Sequence, residues 1–195
     1  MNRLKPALIC YLLPAVAVAA VAYGYPRTDG SKNRLCNHQY ALCTSAQCVP
    51  QPGDPTKAIC YCDVEEGKSM STVACDQLKP STDENGVRTV YSTFSFKQIP
   101  QGKKGMACPS GTPWTNCLNK RCTVDPADPT KAICVCDVMR NTGEWLTLGG
   151  DCDTSTCEDG YWSGALLADH ERNNMFMAKA LGLDKSPAKS CPVKE

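Results

Sequence analysis

Cysteine is the residue type whose number and spacing could do chemistry in this chain. Fourteen cysteines follow residue 35: Cys36, Cys43, Cys48, Cys60, Cys62, Cys75, Cys108, Cys117, Cys122, Cys134, Cys136, Cys152, Cys157 and Cys191, with Cys10 alone before them. Cys43, Cys48, Cys60 and Cys62 are spaced C-x4-C-x11-C-x-C, and Cys117, Cys122, Cys134 and Cys136 repeat that spacing. Four thiolates can hold zinc, but zinc-binding pairs usually stand two to four residues apart, and thiols outside the cytoplasm are oxidised. The C-x-x-C pair of a disulfide oxidoreductase is absent. The expectation is therefore structural disulfides, with no metal and no cofactor.

Hydrolytic chemistry has little to work with. There are two histidines, His38 and His170, and neither G-x-S-x-G nor H-E-x-x-H occurs. Asp63 and Asp137 each follow a C-x-C, and Asp76 and Asp153 each follow a later cysteine. Aspartates so placed are expected to accept backbone hydrogen bonds in turns. His170 falls on the apolar side of an expected helix and reads as a packed histidine. No enzyme is expected.

The compartment follows from the first residues. Arg3 and Lys5 precede an apolar run from Ala7 to Ala22, broken by Pro14, and Ala20-Val21-Ala22 has the small residues that signal peptidase accepts. Residues 1–22 read as a secretory signal peptide, and the run is short for a membrane anchor. The rest is expected to be secreted or periplasmic, with no membrane attachment after cleavage. Without the leader the formal charge changes from +1 to −1, which offers no case for nucleic acid. Fourteen cysteines in the remaining 173 residues, about 8%, approach the density of a disulfide scaffold, and the even number implies seven bridges.

The elements that hold these cysteines include a stretch present twice. Residues 54–64 read D-P-T-K-A-I-C-Y-C-D-V and residues 128–138 read D-P-T-K-A-I-C-V-C-D-V, ten of eleven positions matching at an offset of 74. The chain is accordingly divided into a signal peptide (1–22), a lead-in (23–35), a first cysteine module (36–78), a connecting strand segment (79–107), a second module (108–156) and a helical tail (157–195). The expected fold is small, disulfide-rich and mainly β: two tandem homologous cysteine-stapled β-hairpin modules, an intervening strand and a C-terminal α-helix. Three bridges are assigned to each module, their pairing open, and Cys157–Cys191 to the tail.

Within each module, a proline loop leads into a strand. Ala58, Cys60, Cys62 and Val64 share one face by the period of two, with Lys57, Ile59, Tyr61 and Asp63 on the other. Cysteines at i and i+2 cannot bond each other readily, so each should bridge elsewhere. Glu66-Gly67 and Thr142-Gly143 read as turns into return strands at residues 69–74 and 144–148. Val87 to Ile99 alternates, with Val90, Phe94 and Phe96 on the apolar side. Ser163 reads as the cap of a helix running to Leu181, with Gly182 as its stop.

Binding is the function class left. The expected partner is a protein or cell-envelope component, and the candidate contact residues are Lys57, Tyr61, Lys131 and Trp145. Position 61 is where the two copies differ. An alternative is protease inhibition through the proline-rich loops 49–57 and 123–131, each ending in a lysine. Fourteen cysteines in a duplicated layout resemble Bowman-Birk inhibitors in count and duplication; spacing and length do not match, and no residue roles are carried over.

Overall fold

The computed structural model describes residues 32–192. The expected signal peptide and most of the expected lead-in lie outside the described residues. Eleven strands form two sheets: β1 (Arg34–Leu42), β2 (Cys48–Gln51), β3 (Asp54–Ser71), β4 (Ser81–Thr82), β5 (Arg88–Tyr91), β6 (Met106–Cys108), β7 (Trp114–Asn116), β8 (Arg121–Val124), β9 (Lys131–Met139), β10 (Trp145–Thr147) and β11 (Ala165–Leu166). Two helices, α1 (Thr156–Asp159) and α2 (Leu167–Ala180), lie near the end. The large sheet runs β1-β3-β9-β8-β5-β4, with β2 also beside β3 and β7 also beside β9; it curves like half a barrel. The small sheet runs β11-β10-β6.

The two similar stretches do not fold as separate hairpins; they pair with each other. β3 and β9 are antiparallel from Lys57↔Asp137 to Asp63↔Lys131, and the centre of that register sets Cys60 opposite Cys134, its own counterpart at the offset of 74. A local two-fold axis therefore passes through the sheet between these cysteines. The flanking pairs obey it. Cys48↔Cys60 answers Cys122↔Cys134, and Tyr40↔Glu65 answers Trp114↔Met139.

The disulfides follow from this register. Cys60 bridges Cys48 directly across β2 and β3, and Cys134 bridges Cys122 across β8 and β9, with Cα atoms 4.1 and 4.2 Å apart. Such spacing belongs to the close, non-hydrogen-bonded pairs of an antiparallel ladder. Two residues on, Cys62 reaches Cys43 and Cys136 reaches Cys117. All eight cysteines are buried and, with Ala58, Ala132, Val90 and Val124, form the principal core. A sheet with small alanines at its centre has little hydrocarbon to bury, and cystine sulfur fills that space.

The remaining bridges are Cys36–Cys75, Cys108–Cys157 and Cys152–Cys191. The expected Cys157–Cys191 bridge is thus corrected. Cys157, on α1, packs with Cys108, Trp114 and Trp145. The tail instead comes alongside Gly105, whose N–H donates to Lys189 O and whose carbonyl accepts from Cys191 N, and this brings Cys191 to Cys152. Counting cysteines outside the modules had no access to that path. Cys108–Cys157 also spans the boundary drawn between residues 156 and 157.

Other expectations need correction. No turn forms at Glu66-Gly67: β3 continues to Ser71, because β1 pairs with it without a break from Leu42↔Asp63 to Arg34↔Ser71. Gly67 takes φ +118 within the strand, a conformation open to glycine. Residues 34–35, assigned to the lead-in, start β1. The return strand expected at 144–148 is β10, which joins β6 and β11 rather than β9. The proline loop 49–57 is mostly strand, narrowed to a turn at Pro52-Gly53 with Gly53 at φ +80.

The connecting segment contributes β5, which sits between β8 and β4, and then runs on through isolated pairs of Ser92 with Ala41 and Phe94 with Met70. Its polar side is solvated only at Lys97. Thr89, Thr93 and Ser95 are as buried as Val90, since neighbouring elements cover both sides. Phe94 and Phe96 pack edge to face beside Met70, Met177 and Ala178, which docks α2. That helix begins at Leu167 rather than Ser163: residues 163–166 are held extended by Ser163 N–H to Ala46 O and by β11 against β10. Gly182 ends it as expected. At φ +71 it donates to Lys179 O while Leu183 N–H reaches Ala178 O, the paired bonds of a Schellman motif.

Candidate interaction face

The same strands that bury cysteine on one side carry apolar residues outward on the other. Ile59 and Tyr61 alternate with Cys60 and Cys62 on β3, and Ile133 and Val135 alternate with Cys134 and Cys136 on β9. Residues opposite one another in an antiparallel ladder project to the same side. The register therefore sets Val49, Ile59 and Val135 in one row and Tyr61, Ile133 and Thr123 in the next, across β2, β3, β9 and β8. Tyr61 is 60% exposed, Val135 45%, Val49 44% and Ile133 39%. An ordinary solvated sheet face alternates to polar residues at these positions.

Charge frames this patch at both ends. Lys57 binds Asp137 and Lys131 binds Asp63 at 2.6 Å, two ion pairs exchanged between the similar stretches. Lys120 adds a second contact to Asp137 at 2.5 Å. Burial opposes ionisation of Asp137, but the hydrogen bonds and charges of Lys120 and Lys57 outweigh it and hold its pKa below the usual value. The hydrogen bond from Lys57 to Asp137, and from Lys131 to Asp63, pushes each lysine's pKa up. Both pairs are substantially exposed, and such pairs stabilise little. Lys57→Ala is expected to lower unfolding stability by less than about 1 kcal/mol in guanidinium titration.

These lysines correct two expectations. Asp63 and Asp137 do not close turns; they pair with cations on the neighbouring strand. Lys57 and Lys131 do not project from free loops either. Each belongs to a strand in the central ladder and has its ammonium engaged, the reverse of an inhibitor's protruding contact residue. What caps the two turns is Asp54 and Asp128, whose carboxylates accept from the backbone and hydroxyl of Thr56 and Thr130. Those side-chain hydrogen bonds, then the backbone ones, lower both pKa values.

Trp145 is also corrected as a contact residue. It is fully buried, its ring stacks 6.3 Å from that of Trp114, and its indole N–H donates to Thr112 Oγ1 at 2.8 Å. Of the four candidates only Tyr61 offers a free apolar surface. Ile133, Val135 and Val49 were missed, though the signal was present: the side of the strand away from the cysteines reads I-Y in one copy and I-V in the other.

No family model matches the chain, and no characterised protein or solved structure matches it. The site must be read from its own geometry.

Two other places were candidates for chemistry. The sulfurs of Cys43, Cys122 and Cys134, and of Cys60, Cys117 and Cys136, gather within 4.8 Å, but each belongs to a disulfide and none is a thiolate. The second is a cavity of ≈ 60 Å³ whose lining includes Phe94, Leu118, Leu146, Leu148 and His170. His170 is 8% exposed, its ring nitrogen Nε2 meets the Asn174 amide at 2.7 Å, and burial lowers its pKa to about 4. Its hydrogen-bonded partner is an amide rather than a carboxylate that could orient a general base.

That histidine makes the fold acid-sensitive. The folded protein keeps it neutral down to about pH 4, while an unfolded chain takes up the proton near 6.5. Between those values the unfolded state binds more protons, so its contribution is complete above pH 6.5 and lost as pH falls through about 4. The loss is about 3 kcal/mol. Thermal melts between pH 7 and 4 should show the decline, and His170→Gln should flatten it; an unchanged slope in the variant would contradict the assignment.

Proposed function

We propose that the protein is a non-catalytic interaction protein of an oxidising, extracytoplasmic compartment, working through the outward face centred on Tyr61. The observation that carries this reading is the contiguous patch of exposed Val49, Tyr61, Ile133 and Val135 around half-buried Ile59, on strands pinned from behind by four buried disulfides. Aromatic and β-branched residues on a preorganised surface lose little entropy when they dock, which favours binding. Seven disulfides support an oxidising location, and among the described residues no helix is long and apolar enough to cross a membrane. The partner class is another protein or a protein component of the cell envelope. The internal duplication would serve this role by doubling the strand motif that builds the face.

Affinity capture from the native extracellular fluid tests the reading. Wild-type protein should retain a partner that Tyr61→Arg and Ile133→Arg lose, with near-ultraviolet circular dichroism unchanged in both. Equal capture by wild type and both variants would contradict it.

A further inference from the structure

We infer that the partner of this face is a second copy of the same chain, docked face to face about a two-fold axis. The inference rests on the reading above that the Tyr61 face is the binding surface, and goes on to name what covers it.

Along β3 the outward row runs Lys57, Ile59, Tyr61, Asp63; along β9 beside it, in the opposite direction, it runs Asp137, Val135, Ile133, Lys131. The four corners therefore alternate in sign around an apolar centre. Turning such a face over about an axis in its own plane, either along or across the strands, sets every lysine opposite an aspartate of the other copy. Few surfaces are self-complementary in charge; this one is because the two stretches pair about a local two-fold and each carries one lysine and one aspartate at its ends. Like charges opposed across an interface are what exclude wrong partners, and among these four corner charges they are absent in both orientations.

Lys120 selects between the two orientations. It joins Asp137 at one end and has no counterpart at the other, so that end is the more positive of the two, each end also having a turn aspartate, Asp54 or Asp128, beside its lysine. Rotation about an axis along the strands would stack the two more positive ends on each other. Rotation about an axis across the strands sets each more positive end on the less positive one, and places Lys57 over the second copy's Asp63. The strands of the two sheets then run antiparallel and nearly aligned, a common mode of sheet-on-sheet packing. In the core of that contact Tyr61 of each copy covers Ile59 of the other, and Val135 covers Ile133, all on non-cysteine positions of the strands. A two-fold interface of this kind is isologous and closes at two copies, so no fibre follows.

Sedimentation equilibrium and native mass spectrometry of the purified, fully oxidised protein test the inference. Wild type should show a dimer, and Tyr61→Arg should weaken dimerisation about tenfold or more. Two charge variants make the test specific: Asp63→Lys with Asp137→Lys gives an all-positive frame, and Lys57→Asp with Lys131→Asp an all-negative one. Each alone should be monomeric, and a one-to-one mixture should recover the dimer. Dichroism of the Trp114–Trp145 pair checks that both are folded. A wild type that stays monomeric to millimolar concentration would overturn the inference, as would charge variants that dimerise alone as well as wild type does. If the wild type is monomeric yet captures a different protein through Tyr61, the second copy is wrong and the binding face stands.

Discussion

Replacing Cys48, Cys60, Cys122 and Cys134 by alanine is expected to bring the protein to the edge of unfolding at room temperature, with the other five bridges intact. Each of the two cross-strand disulfides closes a separation of 12 residues, for which restriction of the unfolded chain is worth about 3 kcal/mol. Two such losses, about 6 kcal/mol, compare with a typical total stability of roughly 5–15 kcal/mol. By chain entropy alone the Cys152–Cys191 bridge, with a separation of 39, would matter more, at about 4 kcal/mol. Burial reverses that order. Cys60 and Cys134 are fully inaccessible, so deleting their sulfurs also leaves voids against Ala58 and Ala132, whereas Cys152 and Cys191 are half-buried at the periphery. Each methyl-sized void adds about 1 kcal/mol. Guanidinium titration of Cys48→Ala/Cys60→Ala, which removes one central bridge, against Cys152→Ala/Cys191→Ala measures the difference. A smaller effect for the central pair would show that the sulfur cluster is not the core it is taken to be.

Trp145→Ala is expected to cost about 3–5 kcal/mol of unfolding free energy, the usual loss for a large aromatic removed from a core. Trp145 stacks on Trp114, anchors the small sheet through β10, and bonds Thr112. Gly164 shows how closely the surroundings fit, because a Cβ there would lie 2.8 Å from both Trp145 and Leu146 O. Tyr61→Ala should barely move the unfolding midpoint, since the ring lies 60% exposed on the sheet surface. The same pair of variants should behave oppositely in binding: Tyr61→Ala weakens it and a Trp145→Ala protein that remains folded does not. Chemical denaturation and sedimentation of the two variants together separate framework from function. Equal destabilisation by both would remove the distinction.

What the sequence revealed and what it hid can be traced to the range of each interaction. The facing of Cys60 and Cys62 into the core is a local consequence of strand geometry, and the alternation made it legible. So is the Gly182 stop, which needs only φ > 0 at one position. The pairing of β3 with β9 is not local. Nothing in D-P-T-K-A-I-C-x-C-D-V says that its partner strand is its own copy, although lysine at one end and aspartate at the other is what such an antiparallel pairing needs. Read as turn aspartates and loop lysines, these residues hid the two ion pairs that join the copies. Gly67 misled for a related reason: glycine suggests a turn, but the long register with β1 carries the strand through it. The Cys108–Cys157 and Cys152–Cys191 bridges depend on how the tail threads past Gly105, which no spacing rule reaches. The outward apolar face was half visible. Tyr61 stood out as the position where the copies differ, while Ile133 and Val135 emerged as its neighbours only when β9 was placed beside β3.

Photo-crosslinking from position 61 tests the central claim, that the outward face of the large sheet is where this protein meets its partner. A benzophenone side chain placed there, and another at exposed Lys185 as a reference, should be irradiated in oxidised native extract of the producing cells and their medium and the products weighed. Position 61 is predicted to give one discrete adduct, at the mass of a second copy if the face is self-complementary, and position 185 none. No adduct from position 61, or the same diffuse products from both positions, would contradict the account.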